Sequence, residues 1–439
     1  MTAPTILRPT TTVDRAEQLN RDCRCNTLDD GKLQAELARC ADPAGLYRML
    51  TEERPHLFAD TPVFITRSCL RQQAEIIAAI ERVVAIPAYQ DHVLAYAPEA
   101  AWFQTKAAGV FLGYDFHLGD QGPRLIEINS NAGGALLNAM LPRVHKECCN
   151  LTDGSVLAAS PLPERPEQVY ADMFMEEWRL EREDAALTFV AIVDDQPKQQ
   201  FLYPEFLLFQ ELFRGRGIAS EILDPGELTF RDGALLRRNR RVDLIYNRLT
   251  DFGLEQETHR HLRESHGSGA VVLTPHPRAH AIHADKRNLA ILTDDSALQA
   301  LGVDSETRRL LQRGIAHTEI VRAENAGHYW NQRKHYFFKP AAGYGSKAAY
   351  RGDKLTRRVF GEILQGDYVV QELVIPSERS LLVSGEAVSL KVDLRNFVYR
   401  SQVQAIASRI YQGQTTNLRT PGGGFAPVIV LPDQDLSCG

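Results

Sequence analysis

The 439-residue chain has no apolar run approaching the ~18–20 uninterrupted residues that a membrane-crossing helix needs. Its first residues, MTAPTILRPTTT, lack the charged-then-apolar layout of a secretory signal. A cytoplasmic location and no membrane partner are therefore expected. An excess of basic charge is also missing. The net charge is −6, so nothing global draws the chain to nucleic acid or to an acidic membrane surface. The one basic cluster, Arg237-Arg238-Asn239-Arg240-Arg241, is short and runs into an apolar segment, as a solvated turn before a strand does. Cysteine is scarce, and the odd count of seven in a chain this long argues against a disulfide framework and fits a reducing compartment. Cys23 and Cys25 stand too close for a zinc pair of the usual spacing. Cys148-Cys149 lies near His145 but has no second orienting group for thiol catalysis. Internal repeats, low-complexity tracts and the G-x-x-x-x-G-K-[ST] phosphate loop are absent as well.

With 44% hydrophobic and 24% charged residues, the composition is that of a globular protein able to bury large cores. The length suits two or three domains. Residues 1–90 read as a helical region, because "LQAELARCADPAGLYRML" and "LRQQAEIIAAIERVVAI" carry apolar positions at helical spacing. Residues 91–150 contain "GVFLGYDFHLGDQGPRLIEINSNAGG", two strand-like runs joined by a Gly-Asp-Gln-Gly-Pro turn. Residues 151–185 are a Pro- and Ser-rich linker followed by a helix. Residues 186–280 alternate strand and helix, which predicts a small sheet with parallel strands. Residues 281–439 open with a helix near Lys286 and continue as a series of strands.

Three stretches carry chemistry. In "RLIEINSNAGG", Glu127, Asn129 and Asn131 fall at alternate positions and share one face of a strand. Glu127 and Asn129, with Asp115 on the partner strand, form an oxygen set suited to Mg²⁺, a hard cation held through one or two carboxylates plus substrate phosphates. A solvated hairpin face of the same composition is the competing reading. In "YFFKPAAGYGSK", Lys339 ends an apolar strand and Gly343, Gly345 and Ser346 follow, so backbone N–H groups can be laid against phosphate oxygens while the lysine reaches in from the strand. A plain glycine-rich turn is the alternative there. "YVVQELVIPSERS" places Gln371, Glu372 and Leu373 on a connecting strand whose backbone can meet an adenine edge, with Glu372 in reach of a ribose hydroxyl. Lys286 stands at the first turn of a helix, where an ordinary solvated lysine would be unremarkable.

Taken together, Lys286, "FFKPAAGYGSK", "VVQELV" and the set Asp115, Glu127 and Asn129 resemble the nucleotide and magnesium sites of the ATP-grasp ligases. In most of that superfamily the Glu-x-Asn pair follows the lysine-bearing strands. Here it precedes them, a circularly permuted order similar to the glutathionylspermidine synthetase-type subgroup, with its Asp-Phe … Glu-x-Asn hairpin first and its Lys-Pro … Gly-x-Gly loop later. The resemblance covers residues 90–150 and 185–430. Two departures stand out. The subgroup's arginine two residues before the metal-binding aspartate is Gly113 here, so Arg409 in "ASRIY" or Arg395 in "DLRNF" would have to replace it. The subgroup's amidase domain has no counterpart.

The resemblance implies an α/β (α+β) ATP-grasp fold in permuted order, with a small parallel-sheet pre-ATP-grasp domain. It implies an ADP-forming carboxylate–amine ligase working through an acyl phosphate on a small peptide or amino-acid-like substrate, with ATP and Mg²⁺. Lys286 and Lys339 would hold the α- and β-phosphates, and the amides of Gly343 to Ser346 would cover the β- and γ-phosphates. Asp115, Glu127 and Asn129 would hold the metal, and Arg409 with Asn417 would meet charge developing on the acyl phosphate. An ATP-binding protein of the same fold without turnover is the alternative. Small carboxylates and amines are the expected partners, and a homodimer is a common outcome for such enzymes.

Overall fold

The computed structural model describes residues 15–119, 121–146, 161–343 and 348–433. Gly345, Ser346, Cys148-Cys149 and the 151–160 part of the expected linker lie outside the described residues. Those described form a mixed α/β architecture with five sheets. The largest is antiparallel and six-stranded, running Gly424–Ala426, Gln402–Tyr411, Glu386–Tyr399, Leu112–Gly119 and Gly122–Asn129, with Glu378–Val383 also paired to Glu386–Tyr399. The expected hairpin is thus the edge pair of a sheet whose other strands come from the far end of the sequence.

Two cores cover this sheet and its neighbours. Helix Arg67–Val84 places Ile76, Ile77, Ile80, Val83 and Val84 at helical spacing and buries them with Tyr114, Phe116, Leu394 and Ile410. Thr66 caps its first turn through Oγ1, which accepts from Cys69 N–H at 3.3 Å. A second core joins Phe111, Ala132 and Phe397 to Phe174, Phe209 and Tyr246. It seats the large sheet against a fully parallel four-stranded one, Val272–Thr274, Leu244–Asn247, Phe189–Val193 and Ala219–Leu223. The alternation read from "ALTFVAIVDD" and "RVDLIYNRL" is this sheet, and the Arg237–Arg241 cluster is a hairpin turn between Ala234–Arg237 and Arg240–Arg241. A small antiparallel sheet carries strand Tyr336–Pro340, which holds Lys339, between Tyr368–Glu372 and Tyr350–Arg351, with Thr318–Ile320 outside.

Residues 1–90 hold four described helices and the start of a fifth, Pro87–Leu94, but also the strand Val63–Thr66, paired in parallel with Val428–Leu431. Four residues are too few for a period to show, and the partner is distant in sequence. Cys25 is disulfide-bonded, against the expectation of a reduced chain. No helix among the described residues is long and apolar enough to cross a membrane.

Beyond the C-terminal ends of the parallel strands, His259 is fully buried and bridges two loops. Its Nδ1 lies 2.7 Å from Asp251 and its Nε2 2.9 Å from Asp195. Burial pulls its pKa down, but the two carboxylates outweigh this and hold it above the usual histidine value. A neutral imidazole has one N–H and cannot donate to both. The bridge therefore contributes fully below the unfolded pKa of about 6.5 and fades as pH rises through the raised folded value. His259→Asn is expected to lose about 1 kcal/mol at pH 6, Asp195 being part-exposed and screened. Urea unfolding should show that deficit shrinking toward pH 9, and a pH-independent deficit would contradict the bridge.

Candidate nucleotide site

Strands Leu112–Gly119 and Gly122–Asn129 set Asp115 opposite Glu127 and Gly113 opposite Asn129. The register shifts between Asp115 and Phe116, whose partner is Leu125, so Ile126 has no partner in the ladder. That bulge frees the Ile126 carbonyl, which accepts from Lys339 Nζ at 2.9 Å. Lys339 also donates to Gln371 Oε1 at 2.8 Å, and Gln371 Nε2 is fixed by Thr318 Oγ1 at 3.0 Å. Burial pulls the Lys339 pKa down to about 8, with Lys286 pushing the same way and Glu127 and Asp115 opposing. Lys286, at the N-terminus of helix Arg287–Thr293, donates to Gly343 O at 2.7 Å and lies 3.8 Å from Glu127.

These residues line one cavity of about 210 Å³. Of the residues expected at the site, Lys286, Lys339, Gly343, Gln371, Glu372, Leu373, Asp115, Glu127, Asn129 and Arg409 all line it, and so does Arg395. Glu372 sits at its rim, paired with Arg124 at 2.7 Å. The backbone N–H groups of Glu372 and Leu373 already bond His317 O and His335 O, each at 2.8 Å. Asn417 does not line the cavity. It closes the 412–420 loop, donating to Gln412 O at 2.7 Å and accepting from Thr420 Oγ1 at 3.0 Å, and it is the loop's Gln414, Thr415 and Thr416 that face the cavity.

Sequence reasoning missed Asp393 and Thr416. Asp393 accepts from Arg409 Nε at 2.7 Å and from Thr416 Oγ1. The alternation of Asp393 and Arg395 along one strand was a usable signal, since it puts both on the face that carries Asp115. Asn131, third in the opening row, leaves that face because the strand ends at Asn129. It turns to the parallel sheet, accepting from Arg248 Nη1 at 2.5 Å and donating to Leu249 O at 3.1 Å. Gly134, with φ +100°, lets the chain enter helix Ala135–Val144 where a Cβ would lie 2.4 Å from the Phe425 ring.

For a divalent cation, the donor set fits in part. Glu127 makes no hydrogen bond among the described residues, and the Asn129 amide nitrogen is held by Asp115 at 3.1 Å, which leaves its carbonyl oxygen for a ligand. No group of three or more His, Cys, Asp or Glu suited to a metal occurs among the described residues. A site here would therefore lean on substrate oxygens, as Mg²⁺ sites do.

No family model and no curated protein sequence matches the chain. Solved structures do. A glutathione synthetase-like effector from Globodera pallida, in its apo form, has 10% identity over 84% of this chain and 89% of its own, with a TM-score of 0.55. A candidate γ-glutamylcysteine synthetase from Methylobacillus flagellatus KT has 11% identity over 84% and 89%, with a TM-score of 0.44. The ATP-grasp ligase PsnB, complexed with minimal precursor, Mg and ADP, has 13% identity over 55% of this chain and 88% of its own, with a TM-score of 0.28. The first likeness is one of fold, and the other two are too low to carry an argument.

Proposed function

We propose that the chain is an ATP- and Mg²⁺-dependent ligase of ATP-grasp type, in permuted order, joining a small carboxylate to an amine with formation of ADP. The observation that carries this reading is the convergence of Lys286, Lys339, Arg395, Arg409 and Glu127 on one cavity, from a helix N-terminus and from strands far apart in the sequence. The pairing of Leu112–Gly119 with Glu386–Tyr399 supports the permuted order, because it puts the early hairpin and the late strands in one sheet.

Phosphoryl transfer asks the protein mainly for positioning and charge. Lys339 has two of its three N–H groups fixed by Ile126 and Gln371, which aims the third without loss of side-chain freedom on binding. Lys286 is tied to Gly343 through that residue's carbonyl oxygen, which holds the ammonium at the cavity wall where a phosphate would sit. Arg409, gripped by Asp115 and Asp393, offers its remaining amino group to charge developing on an acyl phosphate. When bound, Mg²⁺ would supply Lewis-acid polarisation at Glu127 and Asn129.

ADP release with pooled carboxylates and amines, followed by mass spectrometry of the product, tests the reading; absence of ADP release across a broad pool would count against turnover. Glu127→Gln is expected to fold normally, since that carboxylate makes no hydrogen bond among the described residues, and to lower Mg²⁺-dependent ADP release by about 100-fold or more. Undiminished turnover in that variant would remove Glu127 from the metal site.

A further inference from the structure

The resemblance assigns Asp115 to the metal, yet its carboxylate is already gripped by two arginines. Oδ1 accepts from Arg395 Nε at 2.7 Å. Oδ2 accepts from Arg395 Nη2 at 2.6 Å, from Arg409 Nη2 at 2.8 Å and from Asn129 Nδ2 at 3.1 Å. An ionised carboxylate has two acceptor positions on each oxygen, so Oδ2 is filled and Oδ1 keeps one, but a cation approaching it would meet the two guanidinium charges already seated there. Burial works against its charge, and the two guanidinium groups outweigh burial and hold its pKa below the usual carboxylate value.

Gly113 explains how Arg395 comes to lie there. A Cβ at that position would fall 2.6 Å from Ala132 Cβ, 3.3 Å from Arg395 Nε and 3.5 Å from Arg395 Cδ. The arginine crosses the strand through the space a side chain at 113 would take. Its register partner is Asp115, which it grips with two parallel N–H bonds. Arg409 is held from both sides, by Asp115 and Asp393. Among the described residues neither Arg395 Nη1 nor Arg409 Nη1 makes a hydrogen bond, and both side chains line the cavity.

We propose that Asp115 is the anchor of an arginine pair rather than a metal ligand, and that the site takes a single divalent cation, on Glu127 and Asn129. Arg395 and Arg409 then supply the positive charge that a second cation would bring to the phosphates. Asp115 is a positioning residue, acting through both arginines and through the Asn129 amide. The inference rests on the nucleotide reading above and goes beyond it.

The test is a count. Wild-type protein is dialysed to equilibrium against Mn²⁺ and a non-hydrolysable ATP analogue, and bound metal and bound nucleotide are both measured. One Mn²⁺ per bound nucleotide is expected, and two would overturn the proposal while leaving the nucleotide reading intact. Failure of the analogue to bind would overturn both. In the same assay Glu127→Gln is expected to weaken Mn²⁺ retention by about tenfold or more. Since Asp115→Asn leaves two buried arginines poorly paired and risks the fold, the wild-type count decides by itself.

Discussion

Lys339→Ala is expected to lower the affinity for ATP by about 100-fold or more and to abolish the ATP-induced rise in melting temperature. Its ammonium is buried, fixed by the Ile126 carbonyl and Gln371, and turned into the cavity with a donor to spare. Truncating one member of a buried, hydrogen-bonded charge contact costs about 2–5 kcal/mol in binding, and 3 kcal/mol is roughly a factor of 100. The nucleotide-free variant should melt close to the wild type. Burial already disfavours the Lys339 charge, as its lowered pKa reflects, so removing it relieves a cost that offsets the two lost hydrogen bonds. Lys339→Arg should not restore affinity, because a planar fork cannot reproduce the two contacts of a compact ammonium. Isothermal titration with a non-hydrolysable analogue reads the affinity directly, and an unchanged value would mean that nucleotide binds elsewhere.

The second large effect concerns the fold. Arg379→Ala is expected to destabilise the protein by about 3–5 kcal/mol. The Arg379 side chain has no exposed surface and serves as a hub between strand Glu378–Val383 and the N-terminal region. It donates to Pro62 O at 2.9 Å, Asn20 O at 2.9 Å, Cys23 O at 2.6 Å and Thr61 Oγ1 at 2.6 Å, and also to Ser380 O. Alanine would strand these acceptors away from water, and each such group costs about 1–3 kcal/mol. The milder change Arg379→Lys would not rescue the hub, because an ammonium has too few N–H groups to serve every acceptor. Urea unfolding with amide exchange checks the claim: the midpoint should drop and exchange should rise first along Val63–Thr66. An unchanged midpoint would show that the hub is dispensable.

Much of the site was legible because the chemistry lies on strands, where a period of two assigns faces without knowledge of the fold. Asp115, Glu127 and Asn129 were brought to one cavity by that rule, and Lys339 and Lys286 by their positions at the ends of apolar elements. What could not be read depends on pairing between distant strands. The bulge at Ile126 exists only in the register between two strands, and the lock of Arg395 on Asp115 only in the order of the sheet. Asn417 was expected beside the acyl phosphate only through the family resemblance, but its side chain is consumed by its own loop, as Asn in tight turns commonly is. The N-terminal strand was invisible for the reason given by its length. Asn131 shows the limit of the face rule, which stops where the strand stops.

The parallel pair Val63–Thr66 and Val428–Leu431 has a consequence for synthesis on the ribosome. The early strand emerges long before its partner, on the order of tens of seconds at ordinary elongation rates. Through that interval Phe64 and Ile65, both buried in the finished protein, have no ladder to join. The same wait applies to strand Leu112–Gly119, whose neighbour Glu386–Tyr399 is made late. Nascent chains stalled between these points should therefore bind holdase chaperones, and release should coincide with exit of the final strand.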